Sequence, residues 1–112
     1  MLPEPPTQLE WLEPWQRLGA SGDAFVSELQ KEVSARHVLY GLSVIAVARR
    51  IDCDDVLFAT PDPAKPLAVV HLTWVGRTES DPQCPDTTLY ESWRDWTERC
   101  LLPDHEEYSG NG

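Results

Sequence analysis

Three apolar runs follow one another closely in the middle of the chain, and they constrain the fold more than any other feature. The runs are residues 39–50, 56–60 and 67–74, and they are rich in residues that favour β-strands. The links at 51–55 and 60–66 are dominated by aspartate and proline, which favour turns and interrupt strand pairing. Because consecutive strands with short links usually lie side by side, the pattern predicts an antiparallel β-meander.

Alternation along these runs predicts two different sheet faces. In the third run the residues of one face are all apolar and those of the other are mixed: Ala68, Val70, Leu72 and Trp74 against Leu67, Val69, His71 and Thr73. The first run repeats the pattern, with Leu42, Val44, Ala46 and Ala48 against Ser43, Ile45, Val47 and Arg49. We expect a helix on the apolar face, and N-terminal helices, a partner chain or a ligand on the mixed face.

Helical patterns flank the strands. Thr7 and Glu10 have the spacing of a capping box, which predicts a short N-terminal helical turn. A second helix is predicted from Asp23 to about Ser34, because its apolar residues recur at spacings of three and four. These residues are Phe25, Val26, Leu29 and Val33, whereas Glu28, Lys31 and Glu32 fall on the opposite side.

The C-terminal half predicts one more strand and one more helix. Residues 87–90 (TTLY) are a candidate edge strand, and Ser92 with Asp95 forms a second capping box that opens a helix. Pro103 is expected to stop this helix. The fold class is therefore α+β: an antiparallel three- to four-stranded β-meander packed with an N-terminal helical pair and a C-terminal helix.

Size and charge limit the possible functions. The 112 residues form one domain, 1–112, in which 1–6 and 109–112 are expected to be flexible. With 19 acidic and 9 basic residues the net charge is −10, which disfavours nucleic acid and anionic membranes and permits a basic protein partner. An odd number of cysteines and the absence of a leader pattern at the start predict a cytoplasmic protein.

His71 is the first candidate for chemistry. A histidine in a half-covered strand is usually structural, but with Glu79 or Asp81 it could serve as a general base in a pocket between the sheet and loop 76–86. His105 is a further candidate for this pocket. No motif places a nucleophile beside His71, and the chain has no phosphate-binding or dinucleotide-binding fingerprint. The sequence favours a non-catalytic protein without a cofactor, and the small enzyme remains the alternative.

A metal site is the second possibility. It would combine Cys84, Cys100 and His105 with His71 or His37, but none of these residues has the close spacing of a structural zinc site. The aspartates of loop 51–55 lack the glycine and terminal glutamate of a calcium-binding loop. We therefore predict no metal.

The tryptophans suggest a binding surface. Four of them belong to segments rich in acidic residues, and exposed aromatic anchors beside charges are typical of protein interfaces. The predicted surface consists of Trp11, Trp15, Trp93, Trp96, Asp104 and Glu106. The alternative is that the tryptophans only cover the sheet. These features favour a protein-binding module, with an inhibitor or immunity protein for a basic toxin or nuclease as one variant, and a homodimer through the mixed sheet face as another possibility.

Several short segments resemble a family of small bacterial proteins without an assigned activity. They are LYG at 39–41, DCDDVLF at 52–58, VHLTW at 70–74, DP at 81–82, and Cys100 followed by PDHE at 103–106. The resemblance covers roughly residues 36–108. It implies a stand-alone cytoplasmic bacterial protein and brings no activity, ligand or site residue with it.

Overall fold

The chain folds into one five-stranded antiparallel sheet with helices on both faces. The computed structural model describes residues 4–19, 22–81 and 83–110. In chain order the elements are β1 (Trp15–Arg17), α1 (Asp23–Glu32), β2 (Ile45–Arg50), β3 (Asp55–Ala59), β4 (Leu67–His71), β5 (Thr87–Tyr90), α2 (Trp93–Trp96), a π-helical turn (Thr97–Leu101) and α3 (Leu102–Gly110). The strands are neighbours in sequence order, β1-β2-β3-β4-β5. The predicted α+β class, antiparallel sheet and C-terminal helix are confirmed.

The N-terminal region differs from the prediction. The expected helical pair is wrong, because Trp15–Arg17 forms the edge strand β1 and α1 is the helix found in the described part of the chain before β2. The Ile51 N–H donates to the Pro14 carbonyl (2.8 Å), and the Leu18 N–H donates to the Val47 carbonyl (2.8 Å). Short isolated helices are marginal in water, and the segment of the Thr7–Glu10 capping signal forms a turn closed by the Leu9 N–H and the Pro6 carbonyl (3.0 Å). Together with β5, strand β1 gives five strands rather than three or four.

Two apolar cores lie on opposite sides of the sheet. The core under α1 contains Leu29, Val33, Val56, Phe58, Ala68, Val70 and Leu72. The core under the C-terminal helix contains Trp15, Leu57, Ala59, Leu67, Trp96 and Leu101. The alternation predicted for the third run is thus confirmed from Leu67 to Leu72. The C-terminal helix, rather than N-terminal helices, covers much of the mixed face.

The alternation predicted for the first run fails halfway along β2. Ala46 pairs with Phe58 and Ala48 pairs with Leu57, so Val47 is the extra residue of a β-bulge. A bulge reverses the facing of the residues after it. Ala48 therefore joins the core under the C-terminal helix instead of sharing a face with Ala46.

The C-terminal helix continues past the proline that was expected to stop it. The helical conformation runs without interruption through α2, the π-helical turn and α3, and the Leu102 N–H donates to the Thr97 carbonyl. This wider turn lies directly before Pro103, a residue that lacks a donor of its own. The Ser92 cap is confirmed, since its side chain accepts the Asp95 N–H (3.0 Å). Residues 109–110, part of the end predicted to be flexible, are the last residues of α3.

The ends of the chain were predicted to be flexible at 1–6 and 109–112. Residues 1–3 and 111–112 lie outside the described residues. Within 4–19, 22–81 and 83–110, no helix combines the length and the apolar character needed to cross a bilayer.

Candidate functional site

The turn after β4 presents a tryptophan in an unusual backbone conformation. Trp74 has a φ of 59° and Gly76 has a φ of 72°. Glycine tolerates this left-handed region, whereas a residue with a Cβ pays roughly 1–2 kcal/mol there. The strand predicted to reach Trp74 therefore ends at His71. Trp74 and Val75 are 45% and 46% exposed, so two large apolar side chains face outward from the turn.

Two buried glutamates of α1 hold this turn. The Glu32 carboxyl accepts the backbone N–H of Thr73 (2.9 Å) and of Trp74 (2.8 Å). The Glu28 carboxyl accepts the Gly76 N–H (3.1 Å). Glu28 is only 5% exposed and Glu32 is fully buried. The helical pattern had placed both residues on the side away from the core, so this part of the sequence interpretation is wrong.

The two carboxyls also interact with each other. Burial raises the pKa of Glu32, and its hydrogen bond with Glu28 raises that pKa further. The same hydrogen bond lowers the pKa of Glu28, with help from the Gly76 N–H and from Lys31. These opposite shifts favour the protonated form of Glu32 and the charged form of Glu28. Two adjacent acids are more easily buried when only one of them is charged.

An aromatic and acidic surface surrounds Trp74. Its ring meets the Phe25 ring edge-on, with centroids 5.7 Å apart. A depression of about 260 Å³ adjoins the pair and is lined by Phe25, Arg49, Cys53, Asp54, Asp55, Val56 and Trp74. Asp54 is exposed, and the Arg49 guanidinium lies 5.9 Å from the centre of the Phe25 ring. We call Trp74, Val75 and this depression the Trp74 surface.

His71 lies on the opposite sheet face from the core under α1. Its side chain is 54% exposed, and its Nδ1 atom is 2.8 Å from a carboxylate oxygen of Asp55, the residue beside it on β3. Glu79 instead accepts the Thr73 hydroxyl (3.0 Å), and Asp81 accepts the Gln83 N–H (2.9 Å). The carboxylate that orients His71 therefore belongs to Asp55, and not to Glu79 or Asp81, the two residues proposed from the sequence.

Loop 76–86 does border a cleft, of about 640 Å³. It is lined by Arg36, His37, Val38, Gln83, Asp86, Thr87 and Thr88, and His71 is not part of this lining. The cleft beside this loop therefore differs from the predicted pocket, which was centred on His71.

The tryptophan surface predicted from the sequence is largely interior. Trp15 and Trp96 are buried, and Trp11 and Trp93 are half-buried against Trp96. Four ring pairs, with centroids 5.4–6.2 Å apart, join these tryptophans: Trp11–Trp93, Trp11–Trp96, Trp15–Trp96 and Trp93–Trp96. The prediction of an exposed surface is wrong for Trp15 and Trp96, because both pack on the sheet.

The acidic members of that predicted surface have different roles. Asp104 accepts the indole N–H of Trp15 (2.9 Å) and forms an ion pair with Arg50 (3.4 Å). It therefore connects the C-terminal helix to β1 and β2. Glu106 is exposed on α3.

The residues considered as metal ligands have other partners. The His37 Nδ1 atom accepts the Leu39 N–H (3.0 Å), so its protonated Nε2 atom donates to the Pro85 carbonyl (3.0 Å). His105 bonds to the Glu13 carbonyl (2.7 Å). Burial raises the pKa of the Cys100 thiol to about 12. In the described parts of the chain, no three histidine, cysteine or acidic side chains are grouped so that they could hold a metal ion.

No protein-family model, curated protein or solved structure matches this chain. The resemblance to small bacterial proteins stays a prediction, and the function has to be inferred from the surfaces themselves.

Proposed function

We propose that the protein is a non-catalytic protein-binding module whose anchor is Trp74. The observation that carries the proposal is the combination of an exposed indole with a left-handed backbone and a buried pair of carboxyls beneath it. Backbone strain of this kind persists only where the surrounding structure enforces it, and such strain concentrates at functional positions.

Stability alone does not account for a tryptophan at this position. A glycine at residue 74 would avoid the cost of a positive φ, as Gly76 does two residues later. Trp74 contacts Phe25, yet 45% of its surface remains in water. Tryptophan is among the residues that contribute most to binding when a partner buries them, and a turn held in advance lowers the entropy cost of binding.

The charge of the chain favours a basic partner. The net charge is −10, and the exposed Asp54 lies at the rim of the Trp74 surface. Opposite charges increase the rate of encounter and help to exclude wrong partners. An inhibitor or immunity-type protein that masks a basic toxin or nuclease is the variant that this charge supports. The three free cysteines agree with a reducing compartment, and we propose the bacterial cytoplasm.

The test compares affinity capture by three versions of the protein in an extract of the source organism at low salt. The wild type is expected to retain a basic protein that is released when the salt concentration rises. Trp74→Ala is expected to lose this protein. Tyr108→Ala is the matched control, since Tyr108 is also an exposed aromatic residue, at 40%. Equal retention by all three versions would contradict the role of Trp74, and an empty capture by the wild type would contradict the function.

A small enzyme remains the second candidate because of one observation, the contact between His71 and Asp55 (2.8 Å). A carboxylate at Nδ1 orients an imidazole so that Nε2 can act as a base. In that case His71→Ala would abolish a turnover measured for the wild type and leave the fold intact. Loss of the captured protein in Trp74→Ala, with no turnover found, would favour the binding module.

A further inference from the structure

Strand β5 leaves one edge of the sheet open. Among residues 4–19, 22–81 and 83–110, its one partner strand is β4, in the register Val70↔Thr87, Val69↔Thr88, Ala68↔Leu89 and Leu67↔Tyr90. Proteins usually protect an edge strand with charged residues, proline or a bulge. Residues 87–90 are Thr-Thr-Leu-Tyr and contain none of these. The opposite edge strand, β1, is shorter and carries Arg17.

The backbone of β5 has unpaired hydrogen-bonding groups along this edge. The His71 N–H donates to the Asp86 carbonyl (2.9 Å), so the residues that bond to β4 are Asp86, Thr88 and Tyr90. The N–H and C=O groups of Thr87 and Leu89 consequently point away from the sheet. In the described part of the chain, no backbone or side-chain group bonds to them.

A cleft runs beside the start of this edge. The 640 Å³ cleft is lined on one side by Asp86, Thr87 and Thr88 and on the other by Arg36, His37 and Val38. Because Arg36 is a cation, apolar side chains of a bound strand suit the cleft better than basic ones, which would lie outside it. Val38 is 63% exposed on the outer wall and offers apolar contact. The position of Thr87 is fixed, because its hydroxyl bonds to both the Pro85 carbonyl (2.9 Å) and His37 Nε2 (3.1 Å).

We propose that the β5 edge binds an extended, basic segment of a partner protein by strand addition. The partner's backbone would bond to Thr87 and Leu89, and its side chains would enter the cleft. Asp86 is exposed at the start of β5 and forms no ion pair among the described residues, so a basic residue of the partner would be favoured there. Glu91, at the other end, already pairs with Lys65 (3.2 Å), so the preference for a basic segment rests on Asp86 and on the net charge of −10.

A second copy of the chain fits this edge less well. Antiparallel pairing of two β5 strands would bring the Asp86 end of one copy beside the Glu91 end of the other. Two chains with a net charge of −10 also repel each other. The proposal does not depend on the Trp74 surface.

The test uses a capped peptide of alternating lysine and valine, with a glutamate-valine peptide as its control. Amide hydrogen exchange is followed at each β5 residue. With saturating lysine peptide, the Thr87 and Leu89 amides should exchange about tenfold more slowly or slower still, whereas Thr88 and Tyr90, already bonded to β4, should not change. The Trp74→Ala variant should respond like the wild type.

Two variants at one position isolate the backbone donor. Thr87→Pro removes the outward N–H and the hydroxyl, whereas Thr87→Val removes the hydroxyl alone. Thr87→Pro should weaken peptide binding about tenfold relative to Thr87→Val, because proline is tolerated at an edge but cannot donate. If Thr87→Pro does not fold, the exchange measurement on the wild type decides the question.

Three results would overturn the proposal. One is unchanged exchange at Thr87 and Leu89 with the lysine peptide. Another is equal protection by the glutamate peptide, which would remove the preference for a basic strand. The last is protection that rises with protein concentration in the absence of peptide, together with a dimer in light scattering, which would assign the edge to a second copy.

Discussion

Replacing Glu32 by alanine should release the turn that carries Trp74. The carboxyl of Glu32 accepts hydrogen bonds from two backbone N–H groups, those of Thr73 and Trp74. One face of α1, the helix that contains Glu32, is exposed to solvent. Alanine keeps the helix, because it is the best helix former, and removes both acceptors. The change therefore tests the connection between α1 and the turn. Because Glu32 is fully buried, its removal also leaves a space beside the turn, which adds to the cost.

The magnitude follows from the number of donors left without a partner. Each buried donor that loses its acceptor costs about 1–3 kcal/mol. Both N–H groups are only partly buried, so water replaces part of the loss, and relief of the strain at Trp74 offsets some of the rest. We expect Glu32→Ala to lower the free energy of unfolding by about 2 kcal/mol. Glu28→Ala leaves one backbone N–H without its acceptor, that of Gly76, and should cost about 1 kcal/mol.

Urea denaturation measures the two free energies, and amide exchange locates the effect. In Glu32→Ala the amides of Thr73 and Trp74 should exchange faster, while the amide of Val70 in β4 should change only in proportion to global stability. Gln30→Ala is the control, since Gln30 is an exposed residue of the same helix. A loss below about 0.5 kcal/mol, the range of an ordinary surface substitution, would refute the reasoning. So would unchanged exchange at Thr73 and Trp74.

Three further outcomes follow from individual residues. Trp74→Gly should be more stable to urea than Trp74→Ala by about 1 kcal/mol, because glycine alone tolerates the positive φ; equal stabilities would mean that the turn is unstrained. His71→Ala should change stability by less than about 1 kcal/mol, because its pair with a carboxylate is exposed, and a larger loss in thermal unfolding would assign His71 a structural role. Iodoacetamide should label Cys53 and Cys84 before the buried Cys100, whose pKa is raised to about 12; equal labelling in peptide mass spectra would contradict this order.

The parts of the fold that were predictable depend on local periodicity. Alternation over 67–72 identified both sheet faces, and the Ser92 cap marked the start of the C-terminal helix. The errors arose where nonlocal contacts decide. Residues 15–17 form a strand because they pair with β2, which is distant in sequence. The bulge at Val47 depends on how β2 pairs with β3.

The candidate site was less predictable than the fold. Burial of a charged side chain depends on which other segment packs on it. The helical pattern of α1 does not show that the turn after β4 packs on Glu28 and Glu32. One feature of the sequence could have predicted their burial: Glu28 and Glu32 are one helical turn apart and adjacent to the apolar residues Leu29 and Val33. The exposure of Trp74 was not predicted, because strand alternation placed this residue in the apolar core.

The opposite pKa shifts of Glu28 and Glu32 predict how the stability of the protein depends on pH. The pKa of Glu32 is raised in the folded state, chiefly by burial, so folding favours its protonated form. Its stabilising contribution is complete below the pKa of an unfolded glutamate and is lost as pH rises through the folded value. The pKa of Glu28 is lowered, so its contribution acts in the opposite direction, and it is lost only as the solution becomes strongly acidic.

Stability should consequently decline as pH rises above the pKa of an unfolded glutamate and through the raised pKa of Glu32, once the other groups are accounted for with a matched variant. Glu32→Gln provides that variant, because glutamine cannot ionise, although it leaves one backbone N–H without an acceptor. Its unfolding free energy should start lower than that of the wild type and then fall less across this interval, so that the difference narrows. Parallel curves for the two proteins would mean that Glu32 does not change its proton occupancy on unfolding. The turn would then be held by an ordinary buried carboxylate, and the explanation of how two acids tolerate burial beneath Trp74 would have to be abandoned.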